Sequence, residues 1–196
     1  MSILVLTSDT LIGTAATGNI EYNGQFYGTD SNASRARLQR IAQGTAVAST
    51  SGTSIDFTSI PSWAERITVM FAGVSGSGTS NFIVQLGTSG GLEITTYLSN
   101  SARLGLTSND YSSATTGLNL TSNTGAGNLY NGIATINNIT SNTWVHSAVM
   151  SGTGSQTLCT SAGYKVLSGT LDRIRITTVN GTDTFDTGTV NIMYEG

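Results

Sequence analysis

The feature that most constrains this chain is a two-residue alternation of apolar and polar side chains, repeated in short runs. In Arg173-Ile174-Arg175-Ile176-Thr177 both arginines point one way and both isoleucines the other. Arg66–Phe71 repeats the pattern, with Ile67, Val69 and Phe71 on one face and Arg66, Thr68 and Met70 on the other. Phe82, Val84 and Leu86 likewise stand opposite Ile83 and Gln85. A period of two belongs to a β-strand with one buried and one wet face, and so to antiparallel sheets. Further runs lie at Glu93–Leu98, Leu118–Leu120, Tyr130–Ile136, Thr143–Met150, Leu171–Val179 and Thr189–Tyr194. Together they predict about eight to ten strands at the spacing of an antiparallel sandwich or barrel. Windows with helical periodicity are nearly absent. Ser34–Ile41, where Leu38 and Ile41 stand three apart, leaves open a short helical turn or an extended arm.

Composition explains what fills the wet faces. Ser, Thr, Asn and Gly number 25, 32, 15 and 24, or 96 of 196 residues, and only 10% of the chain is charged. Abundant Thr, Ile and Val with a single proline argue against a disordered polar chain. One cysteine, Cys159, cannot form a disulfide within its own chain. The apolar start Ile3–Leu6 is too short for a membrane span or a signal peptide, so no membrane insertion is expected. A net charge of −3, with no basic cluster beyond Arg35, Arg37 and Arg40, argues against nucleic-acid binding.

Turn residues punctuate the strands. Asn23-Gly24, between Ile20-Glu21-Tyr22 and Gln25-Phe26-Tyr27, is a hairpin signal, and Asn180-Gly181 is another near the C-terminus. Gly73–Gly78 and Gly87–Gly91 read as links, and Ser108–Ser113 and Ser151–Thr160 as loops. The chain divides near Gly44. Residues 1–44 hold too little apolar surface to fold alone and are expected to be an N-terminal attachment arm: a small hairpin plus an arginine-containing stretch. Residues 45–196 hold the remaining strands and form the predicted display domain.

Catalytic chemistry finds little to build on, and no enzyme activity, metal or cofactor is expected. His146, the sole histidine, shares a strand face with Trp144 and Ala148 and reads as a structural residue. A zinc site needs more His or Cys ligands than the chain has. Asn180–Asp186 gathers oxygens of the kind calcium takes, but without EF-hand spacing, and turn chemistry alone accounts for them. Gly73–Gly78 lacks the lysine of a phosphate loop. Asn32, Asn119, Asn138 and Asn180 begin glycosylation-type triplets that this composition produces by itself. Aromatics set among Asn, Asp and Thr suit sugar stacking, which makes Tyr97, Tyr111 and Tyr130 the candidate glycan contacts; Trp63 and Trp144 read as core.

Two segments carry a resemblance. Gly52–Phe71, with its Ile60-Pro61-Ser62-Trp63 centre, resembles the opening of a β domain in tail-fibre and related virion structural proteins of tailed bacteriophages and prophages. Leu171–Glu195 resembles the terminal hairpin of the same domain, and Gly18–Gly24 resembles the junction ahead of such domains in longer fibres. The likeness covers 45–196 well and 18–41 loosely; about 100–165 matches nothing in particular. It implies a non-enzymatic virion protein, a homotrimer, with an outward β domain. No functional residues come with it.

The resulting expectation is an all-β antiparallel sandwich, jelly-roll-like, with an extended N-terminal arm in a trimeric assembly. Its function would be that of a short spike or fibre on the phage particle surface. Tyr22, Phe26, Tyr27, Arg35, Arg37 and Arg40 are the candidate virion or subunit contacts, and a host-surface glycan is the candidate ligand of the display domain. Two other readings compete: a capsid decoration or cement protein without receptor role, and, less favoured, a polysaccharide depolymerase.

Overall fold

A computed structural model describes residues 18–22, 26–30, 32, 34–106, 108–122, 124–153 and 157–196. The chain separates into two compact units, residues 1–40 and 41–196. The apolar start Ile3–Leu6 and the Asn23-Gly24 turn lie outside the described residues. The first unit is a three-stranded antiparallel meander of β1 (Ile20–Tyr22), β2 (Phe26–Thr29) and β3 (Arg35–Arg37). Ile20 faces Gly28 and Tyr22 faces Phe26, while Gly28 faces Ala36. The β2–β3 reversal is fastened by Asp30, whose Oδ1 accepts the amides of Asn32 and Ser34. Ser34–Ile41 therefore contains a strand and no helical turn, because Arg35–Arg37 take their hydrogen bonds from β2.

The second unit is also built of strands alone among its described residues. In chain order they are β4 (Ile41–Gln43), β5 (Val47–Ala48), β6 (Ser54–Phe57), β7 (Arg66–Gly76), β8 (Phe82–Thr88), β9 (Gly91–Glu93) and β10 (Leu98–Leu104). Next come β11 (Asn109–Ala114), β12 (Leu118–Asn119), β13 (Tyr130–Thr140), β14 (Thr143–Gly152), β15 (Thr157–Val166), β16 (Arg173–Thr178) and β17 (Phe185–Glu195). They form two antiparallel sheets. The larger runs β11-β10-β15-β14-β13-β7-β17-β4, with β5 also on β17; the smaller runs β12-β8-β16-β6, with β9 on β8. Ile67, Val69 and Phe71 of β7, Ala134 and Ile136 of β13 and Val190 and Ile192 of β17 meet Ile55, Val84, Leu86, Ile174 and Ile176 of the smaller sheet in one core. Each such side chain, removed from water, contributes about 1.5–3 kcal/mol. The fold is all-β and sandwich-like.

The period-two faces of β7, β16 and β17 lie as their sequences require, with Ile174 and Ile176 wholly buried. Arg175, on the opposite side of β16, bonds Asp56 across the β16–β6 pair at 2.7 and 2.9 Å. β8 is buried on both faces. Gln85 donates to the Thr116 carbonyl, and Gly117 passes so close to Ile83 that a Cβ there would stand 2.8 Å from its Cδ1.

Three expectations are corrected. Ser108–Ser113 and both ends of Ser151–Thr160 are not loops: Ser108–Ser113 supplies most of β11, paired with β10, while Ser151 and Gly152 end β14 and Thr157–Thr160 begin β15, paired with β14 and, from Leu158, with β10 as well. Their side chains are mostly hydroxyls and amides, so backbone pairing forms these strands without an apolar stripe. Glu93–Leu98 is not one strand. β9 ends at Glu93 and β10 begins at Leu98, with Thr96 between them at φ +61°, a left-handed conformation no strand continues through. Gly73–Gly78 is only partly a link, since β7 runs on to Gly76.

Candidate binding surfaces

The first unit gathers all six residues expected to contact the virion or other subunits. Tyr22 and Phe26 face one another across β1–β2 with ring centroids 5.0 Å apart. Tyr27 pairs with Arg37 across β2–β3. Arg35 turns back to buried Glu21, at 3.0 Å. Arg37 and Arg40 are exposed. A short meander thus carries aromatic rings and guanidinium groups together, with Ile20, Phe26 and Leu38 exposed beside them.

The three candidate glycan tyrosines part company. Tyr97 and Tyr130 are buried in the core and offer no ring face to a sugar. The Tyr97 hydroxyl accepts the Leu86 amide at 2.7 Å and donates to the Glu93 carbonyl at 2.8 Å, and desolvation raises its pKa far above that of a free phenol. The Tyr130 ring meets Phe82 edge-on at 5.6 Å. Only Tyr111 stands in solvent, 87% exposed. It rims a shallow depression of about 220 Å³ floored by Asn100, Ala102, Thr160 and Ala162. Trp144 is core, and Trp63 is half-buried against Tyr194.

Tyr111 belongs to a larger surface. Register places Tyr111 opposite Ala102, Ala102 opposite Thr160, Thr160 opposite Val149, Val149 opposite Ile133 and Ile133 opposite Met70. This row crosses six strands on the outer face of the larger sheet. Leu104–Leu158 flank it on one side, and Leu98–Tyr164–Val145 lie two rows away on the other. Val149 and Ile133 are 54% and 52% exposed, and Leu98, Leu104, Leu158, Tyr164 and Val166 are exposed with them. Between these apolar rows lie Asn100, Ala162, Ser147, Thr135 and Thr68. Among the described residues of this face charge enters at one corner, where Arg66 and Glu195 neutralise each other at 3.2 Å.

Sequence reasoning missed Lys165, the only lysine. Its side chain is 3% exposed. Nζ lies 2.8 Å from Glu93 Oε2 and donates to the Thr95 carbonyl at 3.0 Å and to Thr96 Oγ1 at 2.9 Å, 5.2 Å from the centroid of the Tyr97 ring. All three ammonium protons are engaged, so Lys165 acts as a clamp joining β15 to the β9–β10 connection, not as a nucleophile. Burial pulls the Glu93 carboxyl up, but hydrogen bonds from Lys165 and from the amide and hydroxyl of Ser168 outweigh it and hold it below the ordinary carboxylate value. The signal available in the sequence was parity: Lys165 shares a face with Cys159, Ser161 and Gly163, while Tyr164 and Val166 take the other.

His146 lies inside, 4% exposed, on the face shared with Trp144 and Ala148. Its Nε2 is 3.5 Å from Ser161 Oγ, and among the described residues its Nδ1 has no hydrogen-bond partner. Desolvation lowers its pKa to about 4. Among the described residues its hydrogen-bond partner is Ser161, and burial alone shifts its pKa, so no acid completes a triad with it. Cys159 is buried too, and desolvation pushes its thiol up. The oxygens of Asn180–Asp186 are spent on the turn itself: Asp183 accepts from Ser80 and Asn180, and Asn180 from Thr182 and Thr178. Among the described residues no group of three or more His, Cys, Asp or Glu is placed to hold a metal. A polar cleft of about 320 Å³ opens beside the β13–β14 turn, lined by Glu65, Asn138, Asn142, Thr170 and Trp144. No protein-family model, characterised protein or solved structure matches this chain.

Proposed function

We propose that this chain is a bacteriophage virion structural protein, a short trimeric spike or fibre without enzymatic activity. Residues 1–44 dock it on the particle, and a jelly-roll-like sandwich faces the host surface, with Tyr111 as its aromatic platform for a glycan. One observation carries the reading. The two segments that resemble virion β domains, Gly52–Phe71 and Leu171–Glu195, are strand partners twice over. β16 pairs with β6 in the smaller sheet, Ile174 on Phe57 and Ile176 on Ile55, and β17 pairs with β7 in the larger, Val190 on Phe71 and Ile192 on Val69. The resemblance thus falls on one contiguous frame spanning both sheets. The unmatched middle, about 100–165, supplies the strands that carry the outer face and its Tyr111 depression.

A meander with paired aromatics and exposed arginines, compact apart from the sandwich, suits a docking element. A surface of hydroxyls and amides with few charges suits a protein displayed outside the cell. The test is location and adsorption. Antibody to this chain is expected to decorate intact particles of the phage encoding it, and full-length protein to compete with those particles for host cells. Tyr111→Ala is expected to weaken that competition. Absence from purified particles would sink the proposal. Unchanged adsorption of particles lacking the chain, with loss of capsid integrity, would replace it with the capsid-decoration reading.

A further inference from the structure

We infer that the outer face of the larger sheet is an interface between copies of this chain. The inference deepens the oligomeric part of the reading above and rests on it for the biological setting, while its geometry stands alone.

Strands that cover a core turn their apolar residues inward, as β7 and β16 do. β10 does the opposite, and so does β15 apart from Cys159. β10 buries Ser99 and Ser101 and exposes Leu98 and Leu104; β15 buries Ser161 and Lys165 beside its one core residue, Cys159, and exposes Leu158, Tyr164 and Val166. Slipping either strand by one residue would reverse this. The register is instead held by pairing on both sides of β15 and by the inward bonds of Lys165 to Glu93 and of Ser101 to the Thr121 carbonyl. The outward apolar set is thus built into the fold.

Size and charge identify the occupant. Six strands, from β10 to β17, spaced about 4.8 Å apart and presenting about seven residues each, make a face on the order of 700 Å². Specific protein interfaces take about 600–1,000 Å² from each partner, and this face matches them in carrying apolar rows separated by uncharged polar ones. Among its described residues the face has no charge beyond the self-neutralised Arg66–Glu195 corner. It offers a charged partner no counter-charge, whereas a second copy brings the same rows of apolar and hydroxyl side chains.

Sedimentation velocity of the full chain across a wide concentration range tests this. The wild type is expected to be a defined oligomer at micromolar concentration. Val149→Arg and Ile133→Arg, both substitutions at solvent-facing positions, are expected to weaken assembly at least a hundredfold. Ile94→Arg, an exposed apolar position off this face, is expected to leave assembly unchanged. Hydroxyl-radical footprinting of the wild type gives an independent readout should an arginine variant fail to fold: Tyr164 and Met70 are expected to be protected when assembled and reactive on dilution, whereas Tyr111, on the marginal strand β11, stays reactive in both states. A monomeric wild type, assembly that survives both arginine variants, or equal reactivity of Tyr164 and Met70 in both states would overturn the inference. Loss of assembly on Phe26→Arg together with its survival in Val149→Arg would move the interface to the first unit and overturn it as well. Particle location is measured separately, so failure of the virion reading leaves this result standing or falling by itself.

Discussion

Stability of the second unit should fall sharply between pH 7 and pH 5, and one side chain should account for it. His146 is the only histidine, so nothing else in the chain has an ordinary pKa in that window. In the fold its pKa is lowered from 6.5 to about 4 by burial. The physical reason is local: the ring is sealed between β14 and β15, its Nε2 has only a long contact to Ser161 Oγ, and a proton on it would charge a group that water does not reach. The sign follows. Between pH 6.5 and pH 4 the unfolded chain binds a proton that the folded chain refuses, so acidification favours unfolding. Above about pH 6.5 both states are neutral at this position and the effect vanishes; below about pH 4 both are charged and it levels off.

The size can be worked out. Two and a half pKa units correspond to about 3 kcal/mol at the acid plateau. At pH 5, with the unfolded imidazole almost fully protonated and the folded one barely so, the loss relative to pH 7.5 is about 2 kcal/mol. For a protein of this length that is a fall in Tm of roughly 4–8 °C, or about 1 M in the urea midpoint. Equilibrium urea unfolding at pH 7.5, 6.5, 5.5 and 5.0 measures it at fixed protein concentration. His146→Leu is expected to flatten the pH dependence across this range, with little cost at pH 7.5 because Nδ1 has no partner to lose. The imidazole Cε1 proton should titrate near pH 4 by NMR. A slope that persists in His146→Leu, or a wild-type loss under about 0.5 kcal/mol by pH 5, would refute the reasoning.

Two further perturbations probe the same framework. Glu93→Gln is expected to destabilise by about 3 kcal/mol, because it leaves the Lys165 ammonium buried without its counter-charge, whereas Lys165→Met leaves a carboxylate that is 21% exposed and still bonded to Ser168, and should cost about half as much. The double variant is expected to be more stable than Glu93→Gln alone by chemical denaturation; below pH 4.5, as Glu93 is protonated through its depressed folded value, the wild type loses this stabilisation too. Gly188→Ala should cost about 3 kcal/mol by thermal unfolding, since at φ +102° its Cβ would stand 2.4 Å from the Gly73 carbonyl oxygen, while Gly181→Ala, at φ +68° with open space around it, should cost about 1 kcal/mol; equal losses would place the cost in backbone strain and not in the β7–β17 contact.

How far the sequence could be read follows from what each strand faces. β7, β16 and β17 were legible because they separate a core from solvent, so hydropathy records their geometry directly. The Asn180-Gly181 reversal was legible because Gly181 takes a positive φ that few other residues accept. β11 and the start of β15 were not, since Asn109, Ser112, Ser113 and Thr157 carry no apolar stripe; the ladder to β10 makes the first three a strand, and pairing with Gly152 of β14 does so for Thr157. Tyr97 and Tyr130 were read as surface aromatics from their polar neighbours, yet sequence neighbours point to the opposite face of a strand or leave the strand altogether. Tyr97 enters the core through the turn at Thr96, where the hydroxyl is satisfied by Leu86 and Glu93. Lys165 shows the deeper reason. Where a charged residue points inward and Tyr164 and Val166 point out, hydropathy assigns the strand to the wrong face, because the rule that apolar residues lie inside holds for the finished assembly and not for one chain. An inverted strand is therefore informative in itself: β10 and β15 place their apolar residues where a single copy has no core, which is the arrangement expected if the core on that side is completed by another copy.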